Sequence, residues 1–362
     1  MESTLAPSSI TAHFPAGYIR EAGIIQKLPQ YCQKFGSKIM VLGGKTALSV
    51  LAEHVAPMPN TTYHWFGGAC TQSHIDRLTQ QATDEQADVL VAVGGGKALD
   101  TGKAVAVATG LPLITVPTII ATCAAVTPLT IRYLDDGHFS DLYHLPKAPE
   151  LALVDTQILA ESPLRWLSAG LGDTLAKWYE YRSLKHEPAD LMGAPQLTSF
   201  NSELCFRLIN TYGKKACAAL DARQSDLALE QVTDAIVLYA GMTSILASGA
   251  HATAAHGLYE GFTVNDEVRE FGHGLLVGYG NLVLLALEQR SDTELLDAIA
   301  LAKVCGIPTQ LAMIKNDWTE QEWNAVLREA IDTPDMQQLP FPVSVEMLSD
   351  ACRRVDALAQ SN

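Results

Sequence analysis

The chain has 362 residues, of which 48% are hydrophobic, and a formal net charge of −15 at pH 7. This length is typical of about two domains, and the apolar fraction is enough to form a sizeable core. The Lys and Arg residues form no clustered basic patch that could meet phosphates, so we expect neither nucleic acid nor an anionic membrane as a partner.

The N-terminus and the cysteines indicate the cellular compartment. Glu2 stands where a secretory signal would be basic, and no segment reaches the ~18 uninterrupted apolar residues of a membrane span. The seven cysteines are odd in number, scattered and free of any CxxC pair. That pattern disfavours a disulfide framework or a cysteine zinc site. We therefore expect a cytoplasmic protein with reduced thiols.

The first part of the chain alternates short β-branched runs with helical patterns. The helical patterns include QSHIDRLTQQATDEQA and KALDTGKAVAVAT. Strands that alternate with helices predict βαβ units and a mainly parallel sheet. The predicted strands, in chain order, are KIMVLGG, TYHWFGG, ADVLVAVGGG, LPLITVPT, LTIRYL and LALVDT.

The β signals end at about Ser162, and helical spacing of apolar residues takes over. Long segments such as GDTLAKWYEYRSL, SELCFRLINTYGKKACAALDA and LALEQVTDAIVLYAGMTSILASGA carry this pattern. We predict an α/β nucleotide-binding domain over residues 1–162 and an all-α domain over residues 163–362. A cleft between two such domains is a common place for a ligand site.

The run VLVAVGGGKALDTGKAVAVAT predicts a buried strand, a glycine turn and a helix. Gly94, Gly95 and Gly96 have no Cβ, so a diphosphate can approach their backbone and meet the N–H groups of the helix. The GxGxxG fingerprint with an acid ~20 residues on is absent. The alternative is a simple tight turn, with Asp100 as a solvated acid of the helix.

A second candidate loop, TVPTIIATCAAVTPLT, follows the next predicted strand. It carries four threonines that we expect near the same carboxyl edge of the sheet: Thr115, Thr118, Thr122 and Thr127. Nucleotides bind at such edges in open α/β folds.

One acid and two histidines stand beside or near glycines in the second half of the chain. Asp173 lies in LGDTLAKWYE, His256 in ATAAHGLYEG and His273 in EFGHGLLVGYG. One carboxylate and two imidazoles suit Zn²⁺ or Fe²⁺ and leave a coordination position for substrate. Their spacing does not establish that they meet, and Asp173 could equally cap a helix.

The segments GGGKALDTGKA, VPTIIATCAA, GLGDTLAKWYE, AAHGLYEGFT and HGLLVGYG occur in this order along the chain. They resemble the glycerol dehydrogenase branch of the iron-containing alcohol dehydrogenase family, over nearly the whole chain. The resemblance implies the fold shared with dehydroquinate synthase, in which a Rossmann-like domain precedes a helical one. It also implies one divalent metal, Zn²⁺ in preference to Fe²⁺, bound by Asp173, His256 and His273.

The resemblance further implies NAD or NADP as cofactor. The glycine segment of the family cradles the pyrophosphate, and a later loop and strand line the nicotinamide side. Carried over by motif, the cofactor residues are Gly94, Gly95, Gly96, Lys97, Asp100, Thr118, Thr127, Leu129 and Ile131.

Two of the departures from the pattern of glycerol dehydrogenases bear on the substrate and ribose pockets. Cys123 replaces the acid of the STDAP segment, and Gly44, followed by Lys45, replaces the acid of the VGDK segment. A carboxylate at the first position repels anionic substrates, and one at the second repels the 2′-phosphate of NADP. We therefore predict altered substrate and ribose pockets, and we add Cys123 to the metal ligands as a catalytic residue.

The expected function is a metal-dependent, NAD(P)-linked oxidoreductase that interconverts a small alcohol, polyol or 2-hydroxycarboxylate and its carbonyl form. The first alternative is a lyase similar to dehydroquinate synthase, which would need a glutamate as first metal ligand and several basic residues for a phosphorylated substrate. The second is a nucleotide-binding protein without turnover. We expect a homo-oligomer.

Overall fold

The computed structural model describes residues 11–184, 193–247 and 251–361. Glu2 and the last three residues of the predicted helical segment 227–250 lie outside the described residues. Among the described residues, no helix is both long and apolar enough to cross a membrane.

A six-stranded sheet, in which every pair of neighbours is parallel, forms the centre of the first part of the chain. The strand order is β1-β8-β5-β4-β2-β3. These strands are β1 (Gly17–Arg20), β2 (Ile39–Gly43), β3 (Thr61–Trp65), β4 (Val89–Gly94), β5 (Leu113–Pro117) and β8 (Leu151–Val154). The prediction of a mainly parallel α/β sheet is confirmed.

The central strands are buried on both faces, as parallel strands covered by helices must be. β4 reads VLVAVG and β2 reads IMVLG, and all residues of both are buried. Apolar runs of this length pack against helices on either side of the sheet. The helices of this part are α1 (Leu28–Cys32), α2 (Lys45–His54), α3 (Gln72–Asp84), α4 (Gly96–Thr109) and α5 (Thr156–Ala160), with a 3₁₀ turn at Ile24–Lys27.

Two strands form a separate antiparallel hairpin outside the main sheet. They are β6 (Leu129–Tyr133), which the run LTIRYL predicts, and β7 (Phe139–His144), which the sequence does not reveal. β1 and α2 are also missing from the prediction. β1 has only four half-buried residues, so it shows no alternation that a sequence pattern could detect.

Helices make up the rest of the described chain, and no strand follows Val154 within it. The prediction of a helical second half is confirmed, while the domain boundary at residue 162 stays a prediction. The helices are α6 (Leu164–Ser183), α7 (Ala194–Asp221), α8 (Leu227–Thr233), α9 (Ala240–Leu246), α10 (Ala254–Phe262), α11 (Asp266–Arg269), α12 (His273–Leu287), α13 (Asp292–Val304), α14 (Leu311–Ile314), α15 (Glu320–Asp332) and α16 (Val345–Gln360), with a π-helix at Asp234–Tyr239 and a 3₁₀ turn at Met336–Gln338.

A polar network joins the sheet to the helices. The hydroxyl of Tyr18 donates to Asp234 at 2.7 Å, and Nε of Arg20 donates to the same carboxylate at 2.9 Å. Arg20 also pairs with Glu230 at 3.0 Å. The edge strand β1 is thereby held against α8 and the π-helix.

α6 and α12 cross so closely that their backbones touch. A Cβ on Gly172 would overlap the carbonyl oxygen of Gly274, and a Cβ on Gly274 would overlap that of Ala169. Only glycine permits this approach on both helices. The glycines beside Asp173 and His273 in the sequence therefore serve helix packing.

Candidate active site

The glycine run forms the turn that connects β4 to α4, at the carboxyl edge of the sheet. Gly94 has φ of 144°, a region that favours glycine, and Gly95 caps the helix. A Cβ on Gly96 would lie 3.4 Å from the Thr122 hydroxyl of the neighbouring loop. The first N–H groups of a helix have no partner inside it, so they are free to bind a diphosphate here.

The threonine loop lies beside this turn. Thr118 donates its N–H to the carbonyl of Gly94 at 3.1 Å, which attaches the loop to the end of β4. Thr115 does not lie at the edge as expected, because it is buried within β5 and its hydroxyl donates to the carbonyl of Ala125 at 2.7 Å. The Thr115 side chain therefore attaches the loop to β5.

Asp100 and Lys103 form a buried ion pair at 2.9 Å. Asp100 also accepts the N–H of Ile131 at 3.1 Å, and Lys103 donates to the carbonyls of Thr127 and Leu129. Burial raises the pKa of Asp100. The pair connects α4 to the start of the β6–β7 hairpin, and contact of Asp100 with the cofactor stays a prediction.

The other predicted cofactor residues surround the same turn. Leu129 and Ile131 are half-buried on either side of the buried Thr130, as alternation along a strand predicts. Lys97 is exposed, with Nζ 5.2 Å from the ring centre of Tyr133. These positions are compatible with cofactor contacts, which stay predictions.

Gly44 and Lys45 lie at the next strand end, where β2 meets α2. Gly44 is the N-cap of α2, and a Cβ placed on it would lie 3.7 Å from the Phe66 ring, an ordinary contact. Nζ of Lys45 lies 5.0 Å from the ring centre of Trp65. This end of the sheet has room for a larger group near Gly44 and carries one ammonium group.

Asp173, His256 and His273 meet in space. Asp173 is on α6, His256 is on α10 and His273 is the first residue of α12. Nε2 of His273 lies 3.3 Å, and Nε2 of His256 3.6 Å, from Oδ1 of Asp173. One ligand atom from each residue falls within 4.8 Å of the others. Two imidazole nitrogens and one carboxylate oxygen at this spacing fit a divalent transition metal such as Zn²⁺.

Glu180 orients His256, a role that the sequence does not reveal. Its Oε2 lies 2.6 Å from Nδ1 of His256, and its Oε1 accepts the N–H groups of Thr253, Ala255 and His256 at the start of α10. Burial would raise the pKa of Glu180, but His256 and these hydrogen bonds lower it. When His256 donates its Nδ1 proton to Glu180, its Nε2 lone pair is free to bind a metal.

The charges of the cluster support one another. Burial would raise the pKa of Asp173, but Lys177, His256 and His273 hold it well below its usual range. Burial would lower the pKa of His256, but Glu180 and Asp173 raise it to about 10. A buried carboxylate that stays ionised beside two imidazoles is the electrostatic environment that a cation requires.

Cys123 lies in the threonine loop and faces α9, where a Cβ on Gly241 would be 3.5 Å from its own Cβ. Burial raises the pKa of its thiol, so the side chain is neutral near pH 7. Lys177 lowers this pKa and Asp173 raises it. The loop itself packs against α6, because a Cβ on Gly170 would overlap the carbonyl oxygen of Ile120. The substrate-facing position predicted for Cys123 is consistent with this location.

Known proteins resemble the chain over its full described fold. A family model described as iron-containing alcohol dehydrogenase matches residues 15–156. A glycerol dehydrogenase from Pseudomonas putida is 34% identical over 96% of this chain and 97% of that protein. Hydroxycarboxylate dehydrogenase A from Escherichia coli strain K12 is 31% identical, over 95% of this chain and 96% of that protein.

A solved structure agrees with these relatives. The crystal structure of a probable glycerol dehydrogenase from Sinorhizobium meliloti 1021 has a TM-score of 0.84 at 30% identity and covers 98% of this chain and 100% of that one. The relatives are dehydrogenases, so the lyase alternative is not favoured. The chain belongs to the glycerol dehydrogenase branch of the iron-containing alcohol dehydrogenase family and is a metal-dependent, NAD-linked oxidoreductase of alcohols or polyols.

Proposed function

We propose that the enzyme interconverts short 2-hydroxycarboxylates and 2-oxo acids, with a divalent metal bound by Asp173, His256 and His273. The observation that supports this most is the uncharged thiol of Cys123, in the loop that packs against α6 and α9, at a position where the family pattern has an acid. A carboxylate at position 123 would repel a substrate carboxylate. The name of the E. coli relative, a hydroxycarboxylate dehydrogenase, is consistent with the same substrate class.

The three ligands would leave at least one coordination position open to the substrate oxygen. A divalent ion held there supplies Lewis acidity, and NAD(H) supplies the hydride chemistry. Glu180 fixes the ring of His256 through Nδ1, so that Nε2 points towards Asp173. The ring of Tyr259 packs edge-on against His273 with centroids 4.3 Å apart and limits its rotation.

The cofactor would bind along the carboxyl edge of the sheet. Gly94, Gly95 and Gly96 would receive the pyrophosphate, and the hairpin residues Leu129 and Ile131 would line the nicotinamide side. The room near Gly44 and the ammonium of Lys45 support acceptance of NADP(H) at least as readily as NAD(H). Zn²⁺ as the native metal, a homo-oligomeric state and a cytoplasmic location also stay predictions.

Substitution of Cys123 tests the substrate class. We expect the wild-type enzyme to reduce glyoxylate and pyruvate with higher kcat/KM than dihydroxyacetone. A charge 4 Å from the substrate carboxylate should lower kcat/KM for these acids in Cys123→Asp by about 5- to 1000-fold. Initial rates with NADH and with NADPH measure this change.

Cys123→Ser is the matched control, because it keeps a small neutral group and should keep the preference for acids. A wild-type enzyme that prefers dihydroxyacetone and glycerol would overturn the proposed substrate class. So would unchanged selectivity in Cys123→Asp, because the charge at position 123 would then not determine it.

A further inference from the structure

One face of α6 carries three charged side chains, and only two of them have a role so far. Asp173, Lys177 and Glu180 are separated by four and three residues, a spacing that places them on one side of a helix. All three are buried, with Lys177 4% exposed. Asp173 is a candidate metal ligand and Glu180 orients His256, whereas Lys177 serves neither purpose.

The ammonium of Lys177 has one polar partner in the described parts of the chain. Its Nζ lies 3.0 Å from Nε2 of His251, and the Ser244 hydroxyl lies 3.5 Å from the same nitrogen. Burial and Lys177 hold the pKa of His251 well below its usual range, so this imidazole is neutral. An ammonium group has three donors. Lys177 therefore uses one donor on a neutral acceptor, and among the described residues no carboxylate lies within ion-pair distance of it.

A buried charge without a hydrogen-bonded counter-ion is costly, so it usually has a function. Burial would lower the pKa of Lys177, but the negative charges of Asp173 and Glu180 raise it, so the ammonium is charged. A divalent ion bound by Asp173 would offset the negative charge of that carboxylate. On this face, two carboxylates against an ammonium and a divalent ion leave one positive charge, which a monoanion would neutralise.

The thiol of Cys123 indicates where this anion would lie. A Cβ on Gly241 of α9 would lie 3.5 Å from the Cβ of Cys123. Ser244, three residues further along the same helix, lies 3.5 Å from the His251 nitrogen that Lys177 contacts, so Cys123 and Lys177 lie along the same side of α9. The family pattern has an acid at this position, which would bring a negative charge to the same side of α9 as Lys177. In this chain the thiol provides no charge, so the ammonium of Lys177 is available to bind the carboxylate of a substrate.

We propose that Lys177 binds the carboxylate of the substrate and thereby determines its class, while His251 holds the ammonium in position. This inference rests on the proposed function, because it requires a 2-hydroxy or 2-oxo acid as substrate. The neutral Cys123 does not repel the substrate carboxylate, and Lys177 provides the positive charge that binds it.

The experiment compares two ketones that differ only at the group facing Lys177. Pyruvate carries a carboxylate where hydroxyacetone carries a hydroxymethyl group. In Lys177→Met, the ratio of kcat/KM for pyruvate to that for hydroxyacetone should fall by about 100-fold, mainly through KM for pyruvate, because a buried charge pair is lost. The ratio is taken within one preparation, so a loss of folded enzyme cancels.

Lys177→Gln is the second variant, because it keeps a polar contact with His251 and a similar volume. We expect it to lower the same ratio and to keep the metal content of the wild type. Isothermal titration of metal-loaded enzyme and NADH with oxamate, an unreactive analogue of pyruvate, gives a readout independent of turnover. Oxamate should bind the wild type and bind Lys177→Gln at least about 30-fold more weakly.

The outcomes separate this inference from the proposed function. A wild-type enzyme without preference for pyruvate overturns the substrate class itself. A wild-type preference for pyruvate that persists in both Lys177 variants overturns the role of Lys177 and leaves the proposed function standing. Equal losses of kcat for both ketones, with oxamate binding unchanged, would mean that Lys177 donates a proton or supports the fold, which also overturns the inference.

Discussion

The two halves of the candidate active site use different chemical groups, backbone N–H groups in one and side chains in the other. The turn at Gly94, Gly95 and Gly96 offers backbone N–H groups, and its shape depends on the absence of side chains. The cluster of Asp173, His256 and His273 offers side chains from three helices. The first half occupies one short stretch of sequence, whereas the second exists only after the helices have packed.

This difference predicts how each half responds to substitution. A backbone site loses little when a neighbouring side chain changes, because main-chain atoms do the binding. A side-chain site depends both on its ligands and on the residues that orient them, such as Glu180 beneath His256. Substitutions in the cluster should therefore have larger effects than substitutions along the sheet edge.

The largest effect should come from Asp173→Asn, which keeps the shape of the side chain and removes its charge. We expect metal content to fall strongly and kcat to fall by about 1000-fold or more, since the metal supplies the stabilisation of charge on the substrate oxygen. NADH affinity, measured by fluorescence titration, should change by less than about threefold if the two halves are independent. Full metal content with near-normal turnover would show that the cluster is not the metal site.

An intermediate effect should follow from Glu180→Gln. This variant keeps a hydrogen-bond acceptor for His256 but loses the carboxylate, so we expect metal affinity to fall about 10- to 100-fold. Competition with a chelator measures the affinity. Glu294→Gln is a suitable control, because Glu294 pairs with Arg182 at 2.7 Å and does not contact His256. Equal affinities in the two variants would remove Glu180 from the site.

The smallest effect should come from Gly44→Asp at the sheet edge. Gly44 has φ of −68°, which any residue can adopt, and a Cβ there makes only an ordinary contact with Phe66. The new carboxylate should lower the ratio of kcat/KM for NADPH to that for NADH by about tenfold, because it repels the 2′-phosphate. Gly44→Asn is the uncharged control. A wild-type preference for NADH of about a hundredfold or more would already contradict the predicted pocket.

The same contrast explains what the sequence could predict. The βαβ pattern and the glycine turn are local, so strand periodicity and one motif reveal them. Asp173 and His273 are separated by 100 residues, and no spacing rule brings them together. Their pairing follows from the resemblance to a family, and the close crossing of α6 and α12 supplies its physical cause.

Three residues of the site escaped the sequence pattern for a common reason. Glu180 and Lys177 look like ordinary polar positions of a long helix, and His251 precedes α10 in a stretch without periodicity. Their burial and their contacts identify them, and both depend on which helices cover that face of α6. A charged residue every three or four positions after Asp173 was the one available signal.

The glycine contact between α6 and α12 also bears on how such an enzyme can acquire new substrates. The contact sets the distance between the two helices, and that distance fixes the separation of Asp173 from His273. The side chains of the threonine loop do not take part in this contact. Cys123 belongs to that loop and is free of the contact. Substitutions can therefore accumulate in the loop, one side chain at a time, without changing the distance between Asp173 and His273 on which metal binding would depend.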